Sequence, residues 1–285
     1  EARTVLDEAV RSCGLTLIGW RVVPTDASVL GEWALDTLPG IEQLLIAKPE
    51  TMRADHAFGR ALYLAGRRAQ NEWRIREIDS YIVSISEKVV TYKGLMVAPQ
   101  LSKFYPDLTN ERTVSALALF HQRYATNTLP NWKIAQPLRH TAHNGEINTL
   151  DGNRNWMAAR EGEISSEVWG DDVGDLCPII WPIGSDSASL DEALELLIHS
   201  GRDAVQSMMM LIPEAWENTP DMDPKLRGFY EYSACLMEPW DGPATVAFPD
   251  GDVAGAIQDR NGLRPGRYQV TADGMVLMGS EVGLI

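Results

Sequence analysis

The sequence predicts an α+β protein built on largely antiparallel sheets, and three observations carry that expectation. Strand-like and helix-like stretches succeed one another as strands, helix, hairpin, strands, helices and hairpins, without the regular alternation that builds a parallel sheet. Two Asp-Gly pairs, Asp250-Gly251 and Asp273-Gly274, stand between short apolar runs and mark hairpins. A long stretch around residue 65 carries its apolar residues at helical spacing, as a helix does when it covers one face of a sheet.

Taken in order, Val5, Leu6, Ala9 and Val10 form a helical pattern at the start. Residues 15–23 (LTLIGWRVV) and 41–47 (IEQLLIA) are rich in aliphatic residues and separated by Pro and Gly, so two strands are expected, while the VLGEWAL stretch between them reads either way. From Ala54 to Arg76, apolar positions at Ala57, Ala61, Leu62, Leu64, Ala65 and Ala69 describe an amphipathic helix. Arg67, Arg68, Arg74 and Arg76 alternate with them and read as its solvated face.

Residues 81–86 and 89–96 flank Glu87 and Lys88 and read as a hairpin, with Ile82, Val83 and Ile85 opposite Val89, Val90 and Tyr92. Val114 to Tyr124 reads as another apolar strand, ending in HQRYATNT. A Pro- and Asn-rich loop over 127–137 leads to a short strand running into AHNGEIN at 142–148. Helices are expected at 148–161, 187–199, 203–211 and 223–236, the second capped by Ser185, Asp186 or Ser187. Each Asp-Gly pair is expected to form a type I′ turn, because that dipeptide supplies positive φ angles.

Charge and composition exclude several classes. With 25 basic and 40 acidic side chains the net charge is −15, and a pI near 4.7 argues against nucleic acid and anionic membranes, which need clustered Lys and Arg. Apolar runs fall short of the roughly 18 residues that span a bilayer, and Glu1 to Val10 lacks the basic start and apolar core of a signal peptide. Cys13, Cys177 and Cys235 stand far apart without a C-x-x-C pair, which fits neither a disulfide framework nor a zinc site and points to a reducing cytoplasm. Glycine-rich nucleotide loops are absent. Length fits one large domain or two small ones, and both ends read as interior to elements, as in an internal piece of a longer polypeptide.

The densest polar cluster on an apolar frame is HQRYATNT at 121–128, followed by AHNGEIN at 142–148. Arg123 at a strand end can take a carboxylate in a two-bond fork, or it can form a buried ion pair. Asn144-Gly145 can offer an amide and a backbone N–H to an oxyanion, or it can be a turn; flanking His143 and Glu146 favour the first. Asp186 can cap a helix or receive a substrate ammonium, and with Arg123 it would grip an α-amino acid at both ends. His140 and His143, three apart on a strand, would face opposite ways, so a shared metal is not expected. DRNGLRP at 259–265 is either a site wall or a structural charge knot.

HQRYATNT, QPLRHTAHNGEINTLDGNRNW, GSDSASLDEALELL, PDMDPKLRGFYEY, MEPWDGPA and DRNGLRPGRY, with VLGE at 29–32, resemble in order the glutaminase domain of the glutamate synthases, a class II glutamine amidotransferase module. The resemblance extends from residue 81 or earlier to the end. It implies a single domain over 1–285 with an N-terminal-nucleophile hydrolase fold, a four-layer αββα sandwich incomplete at its start. It implies hydrolysis of the glutamine side-chain amide to glutamate and ammonia. Downstream synthase domains would convert 2-oxoglutarate and that ammonia to glutamate with FMN and an iron–sulfur cluster, supplied with electrons in some members by a small subunit; no cofactor is expected in these residues.

Carried over by motif, Arg123 matches the residue that binds glutamine's α-carboxylate, with Thr126 beside it, and Asp186 matches the one that binds the α-amino group. Asn144 and Gly145 match the oxyanion donors. The 127–137 loop with Trp132 resembles the segment that folds over glutamine, and His143, Arg260 and Asn261 belong to the surrounding shell. The family nucleophile is a cysteine at the first residue of the mature chain, whose own amine is the base. Position 1 here is Glu, and Cys13-Gly14 sits on the tail of a helical stretch. The expectation is therefore a nucleophile upstream of this sequence, a chain that binds glutamine weakly without hydrolysing it, and an open sheet edge that lowers solubility. Two rivals stand beside this: a Cys–His hydrolase using Cys177 or Cys235 with His140 or His143, and a glutamine-binding regulatory module without a nucleophile.

Overall fold

A computed structural model describes residues 1–54, 56–124 and 129–283. It divides into two compact units, Glu1–Arg139 with Ser166–Cys177, and His140–Ser165 with Pro178–Ile285. Among the described residues every strand pairing is antiparallel, as the order of elements anticipates, and no helix is long and apolar enough to cross a membrane.

In the first unit, helix α1 (Ala2–Ser12) is followed by strand β1 (Thr16–Val22), short helix α2 (Glu32–Asp36), strand β2 (Glu42–Ala47) and helices α3 (Ala57–Ile75) and α4 (Ala98–Phe104). β1 and β2 form a two-stranded antiparallel sheet. α1 ends where Gly14 takes φ 71°, and the Gly14 and Leu15 N–H groups bond to Arg11 O and Val10 O, the paired closure of a Schellman motif. Its buried face, Val5, Leu6, Ala9 and Val10, packs on Leu62, Ala65, Ala69 and Trp73 of α3. A second cluster joins Val23, Leu30, Ala34, Leu95, Phe104, Tyr105 and Trp132.

Three expectations are corrected here. Arg67 is not a solvated side chain: it is 2% exposed and its Nε and Nη2 both donate to Leu176 O, at 3.2 and 2.9 Å. Arg68 reaches Asp175 and Asp172, each at 2.7 Å, so this face of α3 fastens the returning segment Gly170–Leu176. Residues 81–96 form no hairpin ladder, because serine side chains take the backbone donors instead. Ser86 Oγ accepts from Lys88 and Val89 N–H, and Ser84 Oγ from Thr91 N–H, an alternative to strand pairing. Val114 to Tyr124 is not a strand either; Val114 is 85% and Phe120 54% exposed, so no second strand covers it.

The second unit runs β3 (Ala142–Gly145), α5 (Leu150–Glu161), α6 (Asp186–His199), α7 (Ala204–Leu211), α8 (Pro224–Ala234), β4 (Ala244–Pro249), β5 (Ala254–Gln258), β6 (Arg267–Val270) and β7 (Val276–Gly279). β3, β4 and β5 form a three-stranded sheet in that order, and β6 pairs with β7. α6 packs on α5 and α7, and α7 also meets β5. Leu190, Leu194, Met208, Leu211 and Val246 are fully buried. Both Asp-Gly hairpins are present, but neither turn is of type I′, since Gly251 (φ 95°) and Gly274 (φ 90°) are left-handed while neither aspartate is. Instead Asp250 Oδ1 accepts from the N–H groups of Asp252 and Val253, and Thr271 N–H and Met275 O close a longer loop around Gly274.

Candidate functional site

β3 and the start of α6 hold His143, Asn144, Gly145 and Asp186. β3 runs antiparallel to β4 with His143 opposite Val246, Asn144 opposite Thr245 and Gly145 opposite Ala244. Alternation along the strand turns His143 and Asn144 to opposite faces. His143 is 2% exposed, and its Nδ1 shares a 2.7 Å hydrogen bond with Ser187 Oγ, tying strand to helix. Asn144 Nδ2 donates to Ser280 Oγ at 2.6 Å and to Glu281 Oε1 at 3.4 Å.

Gly145 is required by its surroundings. It holds φ 133°, and a Cβ placed on it would stand 1.9 Å from Pro243 O. Only glycine permits that approach of two backbones. The chain beyond it is fixed by Asp186, whose Oδ2 accepts from Ile147 N–H at 2.9 Å while Oδ1 accepts from Ser187 N–H at 2.7 Å. Ser185 is the helix cap, accepting from Ala188 N–H at 3.1 Å, so Asp186 occupies the first turn, where the helix dipole favours a carboxylate. Asn144, Gly145 and Asp186 thus belong to one hydrogen-bonded corner of one unit.

Arg123 lies in the first unit and is exposed, which removes the buried ion pair as its explanation. Its backbone N–H donates to His121 Nδ1 at 3.3 Å, and its side chain borders a depression shared with Tyr124, Asn131 and Ile134. Just before it, His121 and Gln122 line a cavity of about 270 Å³ with Tyr92, Lys93 and Gln136. Thr126 and Asn127 fall outside the described residues. Trp132 is a core side chain, 4% exposed, tilted against Phe104 at 5.8 Å, with its indole N–H on Thr37 Oγ1 at 3.2 Å.

The DRNGLRP segment is organised around Asp259, which sequence reasoning did not single out. Its buried carboxylate accepts from the N–H groups of Ala244, Asn261, Leu263 and Arg264 at 2.9 to 3.1 Å. Burial pushes this carboxyl up, but those backbone donors outweigh it and hold it below its ordinary value. Arg260 reaches Asp241 at 3.4 Å and Glu217 at 3.5 Å. Ser280 was also missed; 136 residues from Asn144, it carries no local signal.

Cys13 and Cys177 are half-buried and Cys235 is exposed. Burial pushes the Cys13 thiol up despite the nearby Arg68 guanidinium, the opposite of what an activated nucleophile needs. Cys177 Sγ bonds back to Val173 O at 3.9 Å and Cys235 Sγ to Glu231 O at 3.4 Å.

The family model of the class-II glutamine amidotransferases matches residues 1–285. The chain is 45% identical over 273 residues to a glutamate synthase [NADPH] large chain from Bacillus subtilis, covering 95% of this chain and 18% of that protein. It is 43% identical to the ferredoxin-dependent glutamate synthase 2, chloroplastic, of Arabidopsis thaliana, covering 100% of this chain and 18% of that one. It is 44% identical to the glutamate synthase [NADH] of Saccharomyces cerevisiae, covering 100% and 13% respectively. The chain therefore spans under a fifth of the length of these relatives. Its motifs, its glycine-dependent strand end and its match from end to end agree: the chain belongs to the class-II glutamine amidotransferases.

Proposed function

We propose that the chain is the glutamine-hydrolysing part of a glutamate synthase, a single amidotransferase domain of the four-layer αββα kind. It holds glutamine while a thiol attacks the side-chain carbonyl carbon. The C–N bond breaks, ammonia leaves, and water releases glutamate from the thioester. Asn144 Nδ2 and the Gly145 N–H stabilise the oxyanion. Arg123 takes the α-carboxylate beside Thr126, and Asp186 takes the α-ammonium. Trp132 anchors the loop over glutamine, while His143, through Ser187, and the Arg260–Asn261 turn position the corner. The observation that carries this reading is the 2.9 Å bond from Ile147 N–H to Asp186 Oδ2, which ties the carboxylate to the segment directly after Asn144-Gly145.

None of the cysteines present is assigned the nucleophile, because Cys13 is pushed toward its protonated form and the other thiols bond within their own segments. The thiol is that of the N-terminal cysteine the family resemblance implies. Ammonia passes to the synthase domains, where FMN and an iron–sulfur cluster would supply the electrons for making glutamate from 2-oxoglutarate; electron-donor choice, including any small subunit, is made there, in a cytoplasmic enzyme.

Two experiments test this. In a polypeptide that begins with the family cysteine and continues into this chain, Asn144→Ala should lower kcat for ammonia release about 10²- to 10³-fold, as loss of one oxyanion donor does, with little change in KM. An unchanged kcat removes Asn144 from the mechanism. The chain as given should bind glutamine calorimetrically and release no ammonia. Glutamine binding by the cysteine-bearing polypeptide, again without ammonia, would favour the regulatory-module reading.

A further inference from the structure

The second unit holds another constellation of donors, outside the corner assigned to glutamine. His140, Glu195 and His199 each bring one ligand atom into a group whose members all lie within 4.8 Å of one another. His140 Nε2 stands 3.9 Å from Glu195 Oε1, and the two imidazoles meet edge to face with centroids 5.9 Å apart. We infer that these three side chains form a binding site for a divalent cation of borderline softness, Zn²⁺ above all. This inference is independent of the glutamine reading.

The fold builds the site in advance. Asp191, Glu195 and His199 follow one another at intervals of four along α6 and so share one stripe. The first of them clamps the segment ahead of β3 to the helix: Asp191 Oδ1 accepts from His140 N–H and from the Thr141 hydroxyl, both at 2.9 Å. His140 is thereby held alongside the next two turns, where Glu195 and His199 project. Sequence spacing alone pairs His140 with His143, which alternation turns away; the partners lie on a helix more than fifty residues on.

The donor chemistry selects the ion. Two imidazoles and one carboxylate suit zinc, whereas calcium and magnesium prefer all-oxygen shells. Glu195 is only 3% exposed, so solvent weakens little any interaction of its carboxylate with a cation. His199 lies in the last turn of α6, the end at which the helix dipole favours positive charge. Donors around tetrahedral zinc lie about 3.3 Å apart, so closure from the present separations needs a movement below about 1 Å per donor. Three protein ligands leave a fourth position for water. A bound ion would join the segment leading to Asn144 and Gly145 to the helix that begins with Asp186, stiffening the corner from its far side.

The test uses the full chain, cleared with a chelator and titrated with Co²⁺ and then Zn²⁺. One equivalent of Co²⁺ should give the intense visible absorption of tetrahedral cobalt, and Zn²⁺ should displace it. His199→Ala and His140→Ala should each weaken binding at least about tenfold, while Cys235→Ser should leave it unchanged. X-ray absorption of the zinc-loaded wild-type chain should show only nitrogen and oxygen donors near 2.0–2.1 Å, a result that does not depend on any variant folding. Absence of saturable binding, a sulfur shell near 2.3 Å, or binding undiminished in a folded His199→Ala variant would overturn the site.

Discussion

Single residues decide whether the corner around β3 exists. Gly145 meets Pro243 O so closely that any Cβ must displace the β3–β4 pairing, and it holds a left-handed φ as well. Gly145→Ala should therefore cost at least about 3 kcal/mol, read as a lower urea midpoint; a loss below about 1 kcal/mol would show that the strands part more easily than their contact implies. Asp259 acts through charge. Because the folded state holds its carboxyl below the ordinary value of 3.8, its contribution is fully present above the unfolded pKa and is lost as pH falls through the folded one. Asp259→Asn leaves a single acceptor oxygen for the four N–H groups, so it should cost about 2–4 kcal/mol near neutral pH. The gap between wild type and variant should narrow as pH drops below the carboxylate range. A gap that stays constant with pH would show that the stabilisation does not depend on ionisation. The short strand that ends at Asn144-Gly145 was legible in the sequence because its signal is local. Asp259 was not singled out, because its four donors come from a loop closure and from a strand fifteen residues earlier.

At the level of elements, periodic patterns succeed where one face is buried and fail where local side chains compete with the backbone. α1, α3 and α6 lie where apolar spacing puts them, because burial of Leu62, Leu190 and their neighbours fixes the helical faces. Residues 81–96 have the alternation of a hairpin, yet the hydroxyls of Ser84 and Ser86 take donors that a ladder would use. Arg67 and Arg68 read as solvated because their partner, the Gly170–Leu176 segment, returns a hundred residues later, whereas Arg74 and Arg76 are exposed as expected. The end of α1 offers a clean test. A Cβ on Gly14 would meet nothing within 4 Å, so Gly14→Ala should cost only the left-handed backbone, about 1–2 kcal/mol. Leu62→Ala, which empties space between α3 and α1, should cost about 2–5 kcal/mol. Chemical denaturation of both variants checks the order; equal losses would mean that the turn at Gly14 is also a packing element.

Across the whole molecule, linkage between glutamine and stability tests the roles proposed for Arg123 and Asp186 together. A ligand that binds only the folded chain at a hundred times its Kd adds about 2.7 kcal/mol, so saturating glutamine should raise the Tm by several degrees. The variants should then separate binding from architecture. Arg123 is exposed and its side chain supports little of the fold, so Arg123→Ala should leave the Tm without glutamine within about 1 °C of wild type and abolish the glutamine-dependent rise. Asp186 has two tasks, since its carboxylate also holds the Ile147 and Ser187 N–H groups. Asp186→Asn should lower the Tm without ligand and remove the rise as well. Thermal melts at graded glutamine concentrations read both effects. A rise that survives Arg123→Ala would take the α-carboxylate away from Arg123, and a wild-type Tm that glutamine does not move would remove the amino-acid grip altogether.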